Sequence, residues 1–92
     1  MLFLARMEVQ FHTHLAAEEV TRLQGLEKEY SQGLQRDGRF AGIWRVVGEY
    51  ANYSLFDVAS NDELHEILSG FPMYPYMKIK VTPLAKHPNS IK

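Results

Sequence analysis

The sequence predicts a single α+β domain of order βαββαβ: a four-stranded antiparallel sheet with two helices on one face. Three observations predict it. Residues 2–11 alternate, with Phe3, Ala5, Met7, Val9 and Phe11 on one parity and Arg6, Glu8 and Gln10 on the other. The period then becomes helical from Ala16 to Asp37. After that come two β-rich runs, a short capped helix and a last alternating run, in that order.

The alternation of residues 2–11 has period 2, the mark of a half-buried strand. The first helix carries Glu18 and Glu19 in its opening turn, where carboxylates suit the helix dipole. Gly38 is placed to end it with a positive φ. Gly25 and Gly33 inside it each cost about 1 kcal/mol, so tertiary packing must hold this helix or a ligand must approach its backbone. Phe40 to Val47 and Ala51 to Val58 are rich in β-branched and aromatic residues, and Gly48-Glu49-Tyr50 between them is short enough for a hairpin. Ser60-Asn61-Asp62-Glu63 reads as a capping box. Leu64, Ile67 and Leu68 give the second helix its apolar stripe, and Gly70 stops it. Phe71-Pro72-Met73-Tyr74-Pro75 is a proline-fixed aromatic loop. The last strand spans Tyr76 to Thr82, with Pro83 barring its continuation as a central strand. Residues 85–92 form a polar tail. Right-handed crossovers place both helices on one face, the ferredoxin-like arrangement. The other face is left bare, and in so small a domain another subunit is expected to cover it.

Composition narrows the function. Ninety-two residues make one domain, 1–92, with enough apolar content for a core. Ten basic against eleven acidic residues, with no basic block, lack the footprint of a nucleic-acid binder. No cysteine is present, which excludes disulfides, zinc-thiolate and iron–sulfur sites and a cysteine nucleophile. No apolar run approaches the roughly 18–20 residues of a membrane span. Arg6 interrupts the short apolar N-terminus, so no signal peptide is expected and the cytoplasm is the default compartment. Phosphate loops, GxGxxG, HExxH and G-x-S-x-G are all missing, so an enzyme built from this chain is expected to work without a nucleotide or metal.

Glu27 is the most informative residue. At helical spacing Val20, Leu23, Glu27, Tyr30 and Leu34 fall within about an 80° arc, with the carboxylate in the middle of an apolar stripe. Desolvation there raises its pKa, which suits a general base near neutral pH. The alternative is a structural pairing with Arg45 or another cation at a packing seam. Glu19, nearer the stripe edge, is expected to reach solvent. Tyr50, Asn52 and Ser54 share one parity and could line a cavity, where Tyr50 and Asn52 can donate to a developing oxyanion; a solvated or subunit-facing stripe is the other reading. Arg45, between Trp44 and Val46, is a candidate for an anionic substrate group or a structural ion pair. His65 at the edge of the short helix could reach a pocket. His12 and His14 lie in a loop without a third ligand at metal spacing, and His87 lies in the tail.

Several segments occur in order across nearly the whole chain: Met1-Leu2-Phe3-Leu4, Glu27-Lys28-Glu29, Leu34-Gln35-Arg36, Trp44-Arg45, Tyr50-Ala51-Asn52-Tyr53-Ser54, Phe56-Asp57-Val58, Glu63-Leu64-His65, Pro75-Tyr76-Met77 and His87-Pro88. Together they resemble the muconolactone Δ-isomerase family of the β-ketoadipate pathway, with chloromuconolactone dehalogenase as a sibling. The resemblance implies a cofactor-independent isomerase that shifts the ring double bond of a small lactone, muconolactone, to give 3-oxoadipate enol-lactone in aromatic catabolism. It also implies a homo-oligomer, a ring-like decamer with sites near subunit contacts. Glu27 coincides with the family's glutamate and would act as base and then acid. Tyr50 and Asn52 would bind or polarise the lactone, and Arg45 or His65 would hold its carboxymethyl arm. Phe40 stands where the family carries tryptophan and Gly42 where it carries a large side chain. Phe71-Pro72-Met73-Tyr74 stands in place of Leu-Pro-Leu-Phe. Smaller groups at 41 and 42 bear on the entrance channel or subunit contacts, and substrate substituent preference stays open. Two other readings remain at this point: a dehalogenase, and a non-catalytic ferredoxin-like assembly or ligand-binding module.

Overall fold

The computed structural model describes residues 1–92. Its elements are β1 (Leu2–Val9), α1 (Ala17–Arg36), β2 (Phe40–Arg45), β3 (Ala51–Asp57), α2 (Asn61–Gly70) and β4 (Met77–Leu84), with a single 3-10 turn over Tyr74–Tyr76. The sheet order is β2-β3-β1-β4, and each neighbouring pair is antiparallel. This is the expected α+β, ferredoxin-like arrangement. No helix is long and apolar enough to cross a membrane.

Alternation in β1 sets the core. Phe3, Ala5, Met7 and Val9 are all buried, and they pack with Phe40, Phe56 and the helix residues Leu34, Leu64, Ile67 and Leu68 or, for Val9, with Leu23 and Met73. Both helices therefore cover one face of the sheet. Apart from the adjacent residues and the helix's own backbone, nothing in the chain comes within 4 Å of a Cβ built on Gly25 or Gly33. Packing through Leu23 and Leu34 holds α1. Gly38 ends the helix at φ +89°, as a left-handed C-terminal residue should. At the far end of α2, a Cβ on Gly70 would collide with the Tyr30 hydroxyl, which donates to the Ile67 carbonyl at 2.7 Å. Gly70 thus serves the contact between the two helices and is itself the last helical residue.

Three expectations need correction. The first strand stops at Val9, and Phe11 packs instead in the loop against the smaller core cluster. The last strand begins at Met77 and runs through Pro83 to Leu84, not to Thr82. Because β4 is an edge strand, proline is tolerated there: Gln10 donates to the Tyr76 carbonyl, and alternation along the ladder puts Phe3 and Pro83 at a pair that needs no amide. The capping box is also only half formed in the expected sense. Ser60 Oγ accepts from the Glu63 amide at 3.1 Å, but the Glu63 carboxylate accepts from Ala59, not from Ser60.

A bulge in β2 has the largest consequence for the site. Phe40 pairs with Phe56, but Gly42 pairs with Leu55, so the register shifts between them. Strict alternation would put Phe40 and Arg45 on opposite faces. The extra residue brings both to the helix-covered face. The opposite face carries Leu2, Leu4, Tyr53, Leu55 and Trp44, with Trp44 58% exposed. The Trp44 indole lies over Gly42, where a Cβ would overlap the ring. The small residue at 42 therefore shapes the bare sheet face and not the interior.

Candidate active site

Between α1 and the inner face of β1, β3 and β2 lies a cavity of about 330 Å³, within the range of small-molecule sites. Its walls are mostly apolar, from Met7, Val9, Phe40, Phe71, Met73 and Met77 among others. Four of the five candidate residues line it: Glu27, Arg45, Tyr50 and Asn52.

Glu27 is half-buried, in the apolar stripe of α1. One carboxylate oxygen, Oε1, accepts from the Met73 backbone amide at 2.9 Å. The second oxygen makes no hydrogen bond within the chain. Burial pushes the Glu27 carboxyl above the usual carboxylate range, and the Met73 amide offsets part of that rise. No ion pair involves Glu27, so the alternative of a Glu27–Arg45 pairing is not what the structure contains. Glu19, by contrast, pairs with Arg22 on the same helix, and that hydrogen bond holds its carboxyl below the usual range.

Opposite α1, Asn52 and Ser54 occupy successive inward positions on β3, and Asn52 Oδ1 accepts from the Ser54 hydroxyl at 2.6 Å. Tyr50, just before the strand, accepts from Gln24 Nε2 at 3.0 Å, which leaves its hydroxyl proton free to donate. The Arg45 guanidinium lies over the Tyr50 ring, 5.3 Å from its centroid, and meets no carboxylate. Lys28 also lines the cavity without an ion pair. A proton acceptor, two neutral donors and two unpaired cations thus surround one partly apolar space. Such a set can take a proton from a carbon acid, stabilise the oxyanion that forms, and hold an anionic arm.

His65 is not part of this set. It is exposed on α2 and lines a separate cleft with Phe3, Leu68, Val81 and Pro83, because α2 packs over the β1–β4 side of the sheet. Its assignment to the carboxymethyl arm is therefore corrected for a site within one chain. His12 packs edge-on against Tyr76, and His87 accepts from the Asn89 amide in the exposed tail. Sequence reasoning missed Gln24, Lys28, Ser31 and the Met73 amide. Two of these were within reach of it: Gln24 and Ser31 lie three and four residues from Glu27, on the same helix face. The Met73 amide comes from a remote loop and left no local signal.

A family model described as muconolactone delta-isomerase matches residues 1–90. The chain is 55% identical to a muconolactone Delta-isomerase of Cupriavidus pinatubonensis over the full length of both. It is 48% identical to one of Rhodococcus opacus, covering 99% of this chain and 98% of that one. A crystal structure of muconolactone isomerase superposes with a TM-score of 0.95 at 44% identity, covering 100% of this chain and 96% of the other.

Proposed function

The chain belongs to the muconolactone delta-isomerase family, and from that premise we propose that its cavity moves the ring double bond of muconolactone with Glu27 as the only proton carrier. The observation that carries this reading is a half-buried carboxylate with one oxygen anchored and the other free, facing neutral donors across the cavity. The free oxygen of Glu27 takes the proton from the ring carbon that bears the carboxymethyl arm. The electron pair of that C–H bond spreads through the ring into a dienolate, with charge on the lactone carbonyl oxygen. Asn52 Nδ2 and the Tyr50 hydroxyl donate to that oxygen as the charge grows. Glu27 then returns the proton to the carbon next to the carbonyl, giving 3-oxoadipate enol-lactone. No atom is gained or lost, and no cofactor enters these steps.

Arg45 holds the carboxymethyl group. A charged hydrogen bond is worth about 1.5–3 kcal/mol, so Arg45→Ala is expected to raise KM by about tenfold or more with kcat little changed. An unchanged KM would transfer the arm to Lys28, the other cation lining the cavity. The activity itself is tested with purified protein in an ultraviolet assay, offered muconolactone and 5-chloromuconolactone side by side. Turnover of muconolactone is expected. Chloride release from the chloro compound without isomerisation of muconolactone would overturn the reading.

The exposed Leu2, Tyr53 and Trp44 on the bare sheet face support self-association; the assembly proposed is a decamer, and the compartment proposed is the cytoplasm. Sedimentation should give one species well above the 10.6 kDa monomer, and Trp44→Glu should shift it toward smaller assemblies. A wild-type monomer would refute this part.

A further inference from the structure

Ser54 is the one polar residue among the buried residues of this chain, and its exposure is 0%. Its cross-strand neighbours on the inner face are Ala5 in β1 and Ile43 in β2. Alanine would fill such a position as well, so the hydroxyl is not there for packing. Its single partner is Asn52, at 2.6 Å, a normal O–H···O distance.

That single contact selects one orientation of the Asn52 amide. A serine hydroxyl has a proton to donate, and a buried donor without an acceptor is unfavourable. With Oδ1 toward Ser54, the hydroxyl is satisfied, and no buried side-chain polar atom in the chain lacks a partner. With the amide turned over, Nδ2 would donate to Ser54 and leave the hydroxyl proton buried with no acceptor. The favoured orientation sends Nδ2, which bonds no other group in the chain, to the side away from Ser54. Asn52 lines the cavity and Ser54 does not, so the side away from Ser54 is the one open to it.

We propose that Ser54 is a positioning residue for the isomerisation: by donating to Asn52 Oδ1, its hydroxyl holds the Asn52 amide with both Nδ2 protons available to the lactone carbonyl oxygen. This rests on the reading of Asn52 as a donor to that oxygen. Without Ser54 the amide can turn and present Oδ1, an acceptor, to an oxygen that is becoming negative. Ground-state binding changes little, while the transition state loses its donor.

Steady-state kinetics of the full chain with muconolactone test this in a double-mutant cycle of Ser54→Ala and Asn52→Ala. Asn52→Ala is expected to lower kcat by about 10²-fold, the usual effect of removing one oxyanion donor. Ser54→Ala should lower kcat by about tenfold, with KM within about twofold, since it only misdirects that donor. The double variant should be no slower than Asn52→Ala alone. Ser54→Cys, which keeps a weak donor, should fall between serine and alanine, and it takes the place of Ser54→Ala in the cycle if that variant does not fold. Wild-type kcat in Ser54→Ala, or a loss that multiplies in full with that of Asn52→Ala, would overturn the role of Ser54 and leave Asn52 standing. Wild-type kcat in Asn52→Ala would instead remove Asn52 from the mechanism, and Ser54 with it.

Discussion

Glu27→Gln is expected to lower kcat for muconolactone by about 10²–10⁴-fold, the range general-base catalysis commonly supplies, while the fold survives. Glutamine keeps the shape and keeps an oxygen for the Met73 amide, so the loop that closes the cavity stays in place. What it loses is the ability to take a proton. Circular dichroism separates the two effects: the spectrum should match wild type while turnover collapses. A Glu27→Gln variant with wild-type turnover would take Glu27 out of the chemistry.

The same carboxyl gives two pH signatures of opposite use. Activity requires the ionised form, so kcat/KM should fall as pH drops through the raised Glu27 pKa. Stability runs the other way. A carboxyl whose pKa is higher folded than unfolded binds more protons when folded, so its favourable contribution is complete below the unfolded pKa. It is lost as pH rises through the folded pKa. Urea denaturation at fixed protein concentration should therefore find Glu27→Gln more stable than wild type near neutral pH, with the gap narrowing in acid. A gap that widens in acid would mean that the Met73 amide, and not desolvation, dominates the environment of this group.

Glu27 was legible because helical periodicity sorts one element by itself: a carboxylate amid Leu23, Tyr30 and Leu34 has nowhere to point but the sheet. The same holds for β1, where one buried face forces the alternation of Phe3 to Val9. Information ran out where two elements had to be combined. The bulge at Phe40/Gly42 reverses the parity of Arg45, and nothing in the run Phe40-Ala41-Gly42-Ile43 counts that extra residue in advance. His65 has the helix-edge spacing of a pocket residue, but α2 lies over the β1–β4 side, so its pocket is a different one. Pro83 looked like an end because proline cannot donate, and it is not an end because β4 has a free edge. In each case the local chemistry was read correctly and its partner was not in the local sequence.

The aromatic cluster beneath the cavity should give the largest loss of stability. Phe56 on central strand β3 is fully buried, its ring stacked on Phe40 at 4.5 Å between centroids and edge-on to Phe71 at 6.4 Å. Phe40 and Phe71 also line the cavity, so Phe56 supports two of its walls from behind. Removing a buried phenylalanine side chain costs about 3–5 kcal/mol, transfer and cavity terms together, against a total of about 5–15 kcal/mol for a typical domain. Phe56→Ala is therefore expected to remove a large share of the stability measured by urea denaturation at fixed protein concentration. Leu26→Ala, at a site 40% exposed on α1, should stay within about 0.5 kcal/mol of wild type. A loss below about 1 kcal/mol for Phe56→Ala would show that the sheet and helices are held elsewhere. The walls that keep Glu27 partly dry would then owe their position to contacts between subunits and not to this cluster.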